Sequence, residues 1–79
     1  MRKGLITVGK KLYWAVDERP IDKCFVVPII VTEMFEDHYI AIDTDVNSSL
    51  WLEYDEPNEY SSTAVFETEI QAKNWLRTR

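Results

Sequence analysis

Up to Phe66 the apolar residues of this chain come in short runs rich in β-branched and aromatic side chains, broken by turn signals, and only the final segment carries helical spacing. A chain patterned in this way is mainly β with one C-terminal α-helix. Residues 5–17 (LITVGKKLYWAVD) place Ile6, Val8, Leu12, Trp14 and Val16 on one parity, as a half-buried strand requires. Leu5, Tyr13 and Ala15 fall on the other, so the strand is covered on both faces or bent where Gly9 permits a bulge. Arg19-Pro20 marks a turn. Residues 21–35 read as a second strand, and Pro28 within it, lacking a ladder donor, implies an edge, a bulge or a barrel corner. Glu36-Asp37 is a polar turn before a third strand, 38–43, with Ile40 and Ile42 expected to face inward. Turn residues 46–49 precede a fourth strand, 50–55, in which Leu50, Leu52 and Tyr54 alternate with Trp51, Glu53 and Asp55. A short fifth strand covers 63–67.

The helix is expected over 69–78. Thr68 followed three residues later by Gln71 is a capping-box pattern, in which each side chain satisfies a backbone donor that the first turn leaves free. Ala72, Trp75 and Leu76 lie on one side, and Lys73, Arg77 and Arg79 near the end complement the negative pole of the helix dipole. A helix this short is marginal alone, so it requires docking of Trp75 and Leu76 on the sheet.

At 79 residues the chain is read as one domain. It contains 46% hydrophobic residues, two glycines and three prolines, which is a globular composition rather than a disordered one. The longest apolar run, 25–31, is too short for a membrane helix, and no apolar signal-peptide core follows Arg2 and Lys3. A single cysteine, Cys24, makes no internal disulfide, which fits a reducing cytoplasm. The net charge of −5 conceals a polarity: eleven carboxylates and no lysine or arginine lie between Lys23 and Lys73, whereas both ends are basic. Such a middle disfavours nucleic acid and anionic lipid, and suits either solubility or a basic protein surface.

Gly9 and Tyr13 at the front, and Val65, Phe66, Thr68, Ala72 and Leu76 at the close, carry a resemblance over nearly the whole chain. It is similar to a large group of small phage and Firmicutes proteins that begin with a G-x-x-v-Y-like strand and end in v-F-x-T-x-x-x-A-x-x-x-L. The resemblance implies a five-stranded antiparallel, SH3-like, partly open barrel, a mobile-element setting and a bacterial cytoplasm, and it brings no catalytic residues. Some small phage proteins of this size block host defence systems, CRISPR nucleases among them. The family's acidic residues before the helix alanine are replaced here by Ile70 and Gln71.

The chemistry-bearing residues are few. Asp43, Asp45 and Asn47 copy the first ligand positions of a calcium loop, but Ser48 stands where glycine is needed and Tyr54 where a bidentate glutamate belongs. Cys24 and His38 are the only thiol and imidazole, with no third group to orient them and too few soft ligands for zinc. Two glycines cannot write a phosphate loop. No cofactor and no enzymatic activity are therefore expected. Aromatics interleaved with acids remain, opposite in sign to a nucleic-acid stacking platform. They suggest a protein-binding face of Asp43, Asp45, Trp51, Glu53, Tyr54, Asp55, Glu56, Glu59 and Tyr60, with Ile70 as an exposed apolar anchor for a partner or a second copy. The partner expected is a basic protein surface, of which a host nuclease is one form. The alternatives are a nucleic-acid module using Lys3, Lys10, Lys11, Lys73, Arg77 and Arg79, and a structural or self-associating domain.

Overall fold

A computed structural model describes residues 1–20 and 23–79. Five strands, β1 (Lys11–Val16), β2 (Phe25–Met34), β3 (His38–Asp43), β4 (Ser48–Glu53) and β5 (Thr63–Phe66), precede one helix, α1 (Glu69–Arg77). They form one antiparallel sheet in the order β4-β3-β2-β1-β5. The sheet curls into a half-barrel, because side chains from both edge strands reach the same interior: Leu12, Ile29, Val31, Tyr39, Ala41 and Val65 are buried there, with Leu50 and Leu52 of β4 packed against them. Met1 and Ile6 complete this core from the N-terminal segment.

A second, smaller core lies on the outer face. Ala15 of β1 meets Ala72 and Leu76 of α1, flanked by Tyr13, Val26, Phe66 and Trp75. The sheet strand β1 is thus covered on both faces, as its mixed parity requires. The helix begins at the capping box, with Gln71 N–H donating to Thr68 Oγ1 and Thr68 N–H to Gln71 Oε1. Its C-terminal end is served from elsewhere in the chain: Arg19 donates to the Leu76 carbonyl at 3.1 Å. Lys73 instead pairs with Glu69, and Arg79 reaches back to Asp17 at 2.6 Å.

Several expectations are corrected. Residues 5–10 are not strand: Lys3–Leu5 is a 3-10 turn, and Gly9 sits at φ +91°, where its N–H meets the Val31 carbonyl and the chain reverses into β1. Val8 is therefore exposed. The second strand starts at Phe25; the Ile21 and Asp22 portion of the expected strand lies outside the described residues. Asn47, at φ 58°, closes the preceding turn early enough for β4 to occupy 48–53 rather than 50–55.

Pro28 stands in a central strand rather than an edge or bulge. Its carbonyl accepts from the Thr44 N–H just past the end of β3, so the donor it lacks faces a place where the β3 ladder has already stopped. The bulge comes four residues later, where the register shifts between Val31 and Glu33 and leaves Thr32 as the extra residue. Its consequence is a change of parity along β2, with Ile29, Val31 and Met34 turned toward the core and Ile30, Glu33 and Phe35 left outside. The parity of β3 is likewise opposite to expectation: Tyr39, Ala41 and Asp43 are buried, and Ile40 and Ile42 lie on the outer face. The curled interior accepts a small Ala41 between Tyr39 and Asp43, with the Tyr39 ring stacked on Tyr54.

Candidate functional site

A nine-residue helix spans about 13 Å, less than the width of five strands at about 4.8 Å each, so α1 can cover only part of the outer face. It packs on β1, β5 and the adjoining part of β2. The other part, built by the end of β2 with β3 and β4, is bare. Cross-strand pairing arranges it in rows: Ile30, Ile42 and Ser49; then Glu33, Ile40 and Trp51; then Phe35 beside His38 and Glu53.

Three rings on this face stack in series. Phe35 and His38 lie 4.7 Å apart at 14°, and His38 and Trp51 lie 4.5 Å apart at 20°. Trp51 is nevertheless 57% exposed, so one side of its indole is backed by His38 while much of the ring is open to water. The stack is held in place by local bonds. Phe35 N–H donates to the His38 carbonyl across the β2–β3 turn, Tyr54 Oη donates to the Phe35 carbonyl at 2.8 Å, and His38 Nδ1 donates to Asp37 Oδ1 at 2.7 Å. The His38 hydrogen bond holds the Asp37 carboxyl below its ordinary range, keeping a negative charge at the turn. Carboxylates border the rings, and among the described residues neither Glu33 nor Glu53 has a cationic partner. This face is an apolar, aromatic surface with an acidic border.

No protein-family model, curated protein or solved structure matches the chain. The face must therefore be read from its own chemistry.

Of the residues singled out in the sequence, Trp51 and Glu53 alone belong to it. Asp43 is 9% exposed and points inward, with its Oδ1 accepting from the Asp45 N–H at 2.9 Å in the β3–β4 turn, where Asp45 is exposed. Tyr54 turns toward the core instead of outward, stacked on Tyr39 with Lys3 Nζ 5.4 Å from its ring centroid. Asp55 and Glu56 lie beside the N-terminal segment: the Met1 amino group donates to the Asp55 carbonyl, and Arg2 pairs with Glu56 at 3.4 Å. Glu59 is near the end of the chain, its carbonyl accepting from Arg79. Tyr60 stands alone at 87% exposure, and Ile70 is 72% exposed on the helix side turned away from Ala72 and Leu76.

The fold thus divides the proposed acidic stretch among several places. Phe35, His38, Ile30, Ile40 and Glu33 were missed because they join the site only through the Thr32 bulge and the parity of β3. Phe35 and His38 flanking a two-residue acidic turn were the available hint, since residues so placed adjoin across a hairpin.

Proposed function

We propose that this protein is a non-enzymatic binding module that uses the bare outer face of β2, β3 and β4 to engage a basic surface on another protein. The observation that carries this reading is the Phe35–His38–Trp51 stack, whose Phe35 and Trp51 are exposed beside Glu33 and Glu53, which have no cationic partner among the described residues. Burying the rings supplies apolar area, and the carboxylates supply selection for positive charge and rapid encounter. The resemblance to phage and Firmicutes mobile-element proteins supports a setting in a bacterial cytoplasm and a host defence nuclease as the specific form of partner, since channels that hold a nucleic-acid duplex are basic. Imitation of a nucleic-acid backbone by all eleven central carboxylates is less well supported than this single face, because Glu56, Glu67 and Glu69 are paired within the protein.

The test compares partner capture from a bacterial lysate, at low and high salt, by the native protein and by Trp51→Ala and Glu33→Lys/Glu53→Lys variants. Loss of the same captured protein with both variants, and its retention by a remote Tyr60→Ala control, is the expected result. Undiminished capture by both face variants would move the interface elsewhere.

A further inference from the structure

We infer that the partner's contact with this face is an arginine side chain, laid on the Trp51 indole with its guanidinium paired to Glu53. The inference rests on the proposed binding role and narrows it to one recognition chemistry.

Trp51 and Glu53 are two residues apart on β4 and share the outer face, so their Cβ atoms are about 7 Å apart. A group lying on the indole therefore has the Glu53 carboxylate within side-chain reach. His38 backs the indole and stands cross-strand from Glu53, which fixes the ring and leaves the open part of Trp51 for a planar group. A guanidinium is planar, weakly hydrated and able to stack on an aromatic surface while donating two hydrogen bonds sideways to a carboxylate. An ammonium keeps its water and gains less on a face as exposed as this one.

The protein already contains this arrangement. Arg79 lies over the Trp75 ring at 4.2 Å and donates from Nε to Asp17 at 2.6 Å. Its lysines over aromatic rings lie farther off, Lys3 at 5.4 Å from Tyr54 and Lys11 at 5.8 Å from Tyr13. The Trp51–Glu53 pair repeats the tryptophan and carboxylate without the arginine. A second copy of the chain is the less suitable occupant, since its net charge of −5 and its own Glu33 and Glu53 would oppose an approach of like faces.

The experiment titrates the full chain, followed by backbone and indole NMR resonances, with capped peptides Gly-Arg-Gly-Arg-Gly and Gly-Lys-Gly-Lys-Gly. The arginine peptide is expected to move the Trp51 indole and the His38 and Glu53 amides at roughly three- to fivefold lower concentration than the lysine peptide. Trp51→Ala should abolish that preference, and Glu53→Gln should weaken binding while the remaining resonances stay in place. Equal response to the two peptides, shifts confined to other carboxylates, or no shift up to about 10 mM would overturn the arginine assignment. So would concentration-dependent light scattering that disappears with Trp51→Ala, which would give the face to a second copy. The binding role itself falls separately, when lysate capture is indifferent to Trp51 and Glu53.

Discussion

Asp17 shows how much of this small fold depends on one carboxylate. Its side chain is 8% exposed and accepts from Arg79 and from the Cys24 thiol, with Arg19 Nε at 3.0 Å. Burial pushes the carboxyl up, but the thiol and guanidinium bonds together with the two arginine charges outweigh it and leave the group below its ordinary range. A carboxyl depressed in the folded state contributes stability that is complete above its unfolded value, near 3.9, and is lost as pH falls through the lower folded value. Asp17→Asn should therefore lower the melting temperature at pH 7 and flatten its decline between about pH 5 and 2. Parallel melting profiles for the two proteins would show that Asp17 does not carry the acid response. Burial, and then the Asp17 acceptor, push the Cys24 thiol up, so it should react slowly with a disulfide reagent at neutral pH in the folded protein. None of this was legible in the sequence, because Arg79 lies 62 positions from Asp17 and only the completed fold brings them together.

The elements were legible to the extent that local rules decide them. Thr68 and Gln71 announce the helix start, and the capping box is present in full. Thr68→Ala should cost about 1 kcal/mol, which for a domain of this size is a fall of roughly 4–8 °C in melting temperature, with the helix start as the first region to lose amide protection. Trp75 is only half-buried, against Phe66 and under Arg79, whereas Leu76 is buried against Ala15. The roughly 3–5 kcal/mol expected for truncating a core aromatic therefore overstates Trp75→Ala, and Leu76→Ala should be the more damaging change. Melting curves that rank them in the reverse order would mean that Trp75, with its stacked arginine, is the main attachment of the helix. The strand faces were less legible. A period of two predicts side-chain direction only while the register is unbroken, and the extra Thr32 reverses it near the end of β2. In the β3–β4 turn, where the calcium-loop pattern already failed at Ser48 and Tyr54, only Asp43 is turned inward and Asp45 is exposed; millimolar calcium should leave the melting temperature unmoved.

At the scale of the whole molecule, the basic ends and acidic middle are brought together by folding. Arg2 meets Glu56 and Lys10 meets Glu67, each joining the N-terminal end to the acidic middle, while Arg79 meets Asp17 and ties the two ends of the chain to each other. These contacts bear directly on whether the ends bind nucleic acid. A phosphate site needs cations that release counterions on contact, and a cation already beside a carboxylate has fewer to release. Of the six residues that would compose such a patch, Lys10, Lys73 and Arg79 are paired with Glu67, Glu69 and Asp17, while Lys3 and Lys11 lie over tyrosine rings. The net charge of −5 adds a repulsive field at longer range. Duplex DNA should accordingly show no measurable binding at about 150 mM salt, and lowering the salt should not produce the steep gain that several phosphate contacts would give. Low-micromolar binding with a slope of several ions would require those cations to exchange their carboxylates for phosphates. Fluorescence anisotropy of a labelled duplex, repeated with Lys10→Gln and Arg77→Gln, distinguishes the cases: a flat response removes the ends of the chain as a nucleic-acid site, and a salt-steep affinity reduced by both substitutions would transfer the function to them.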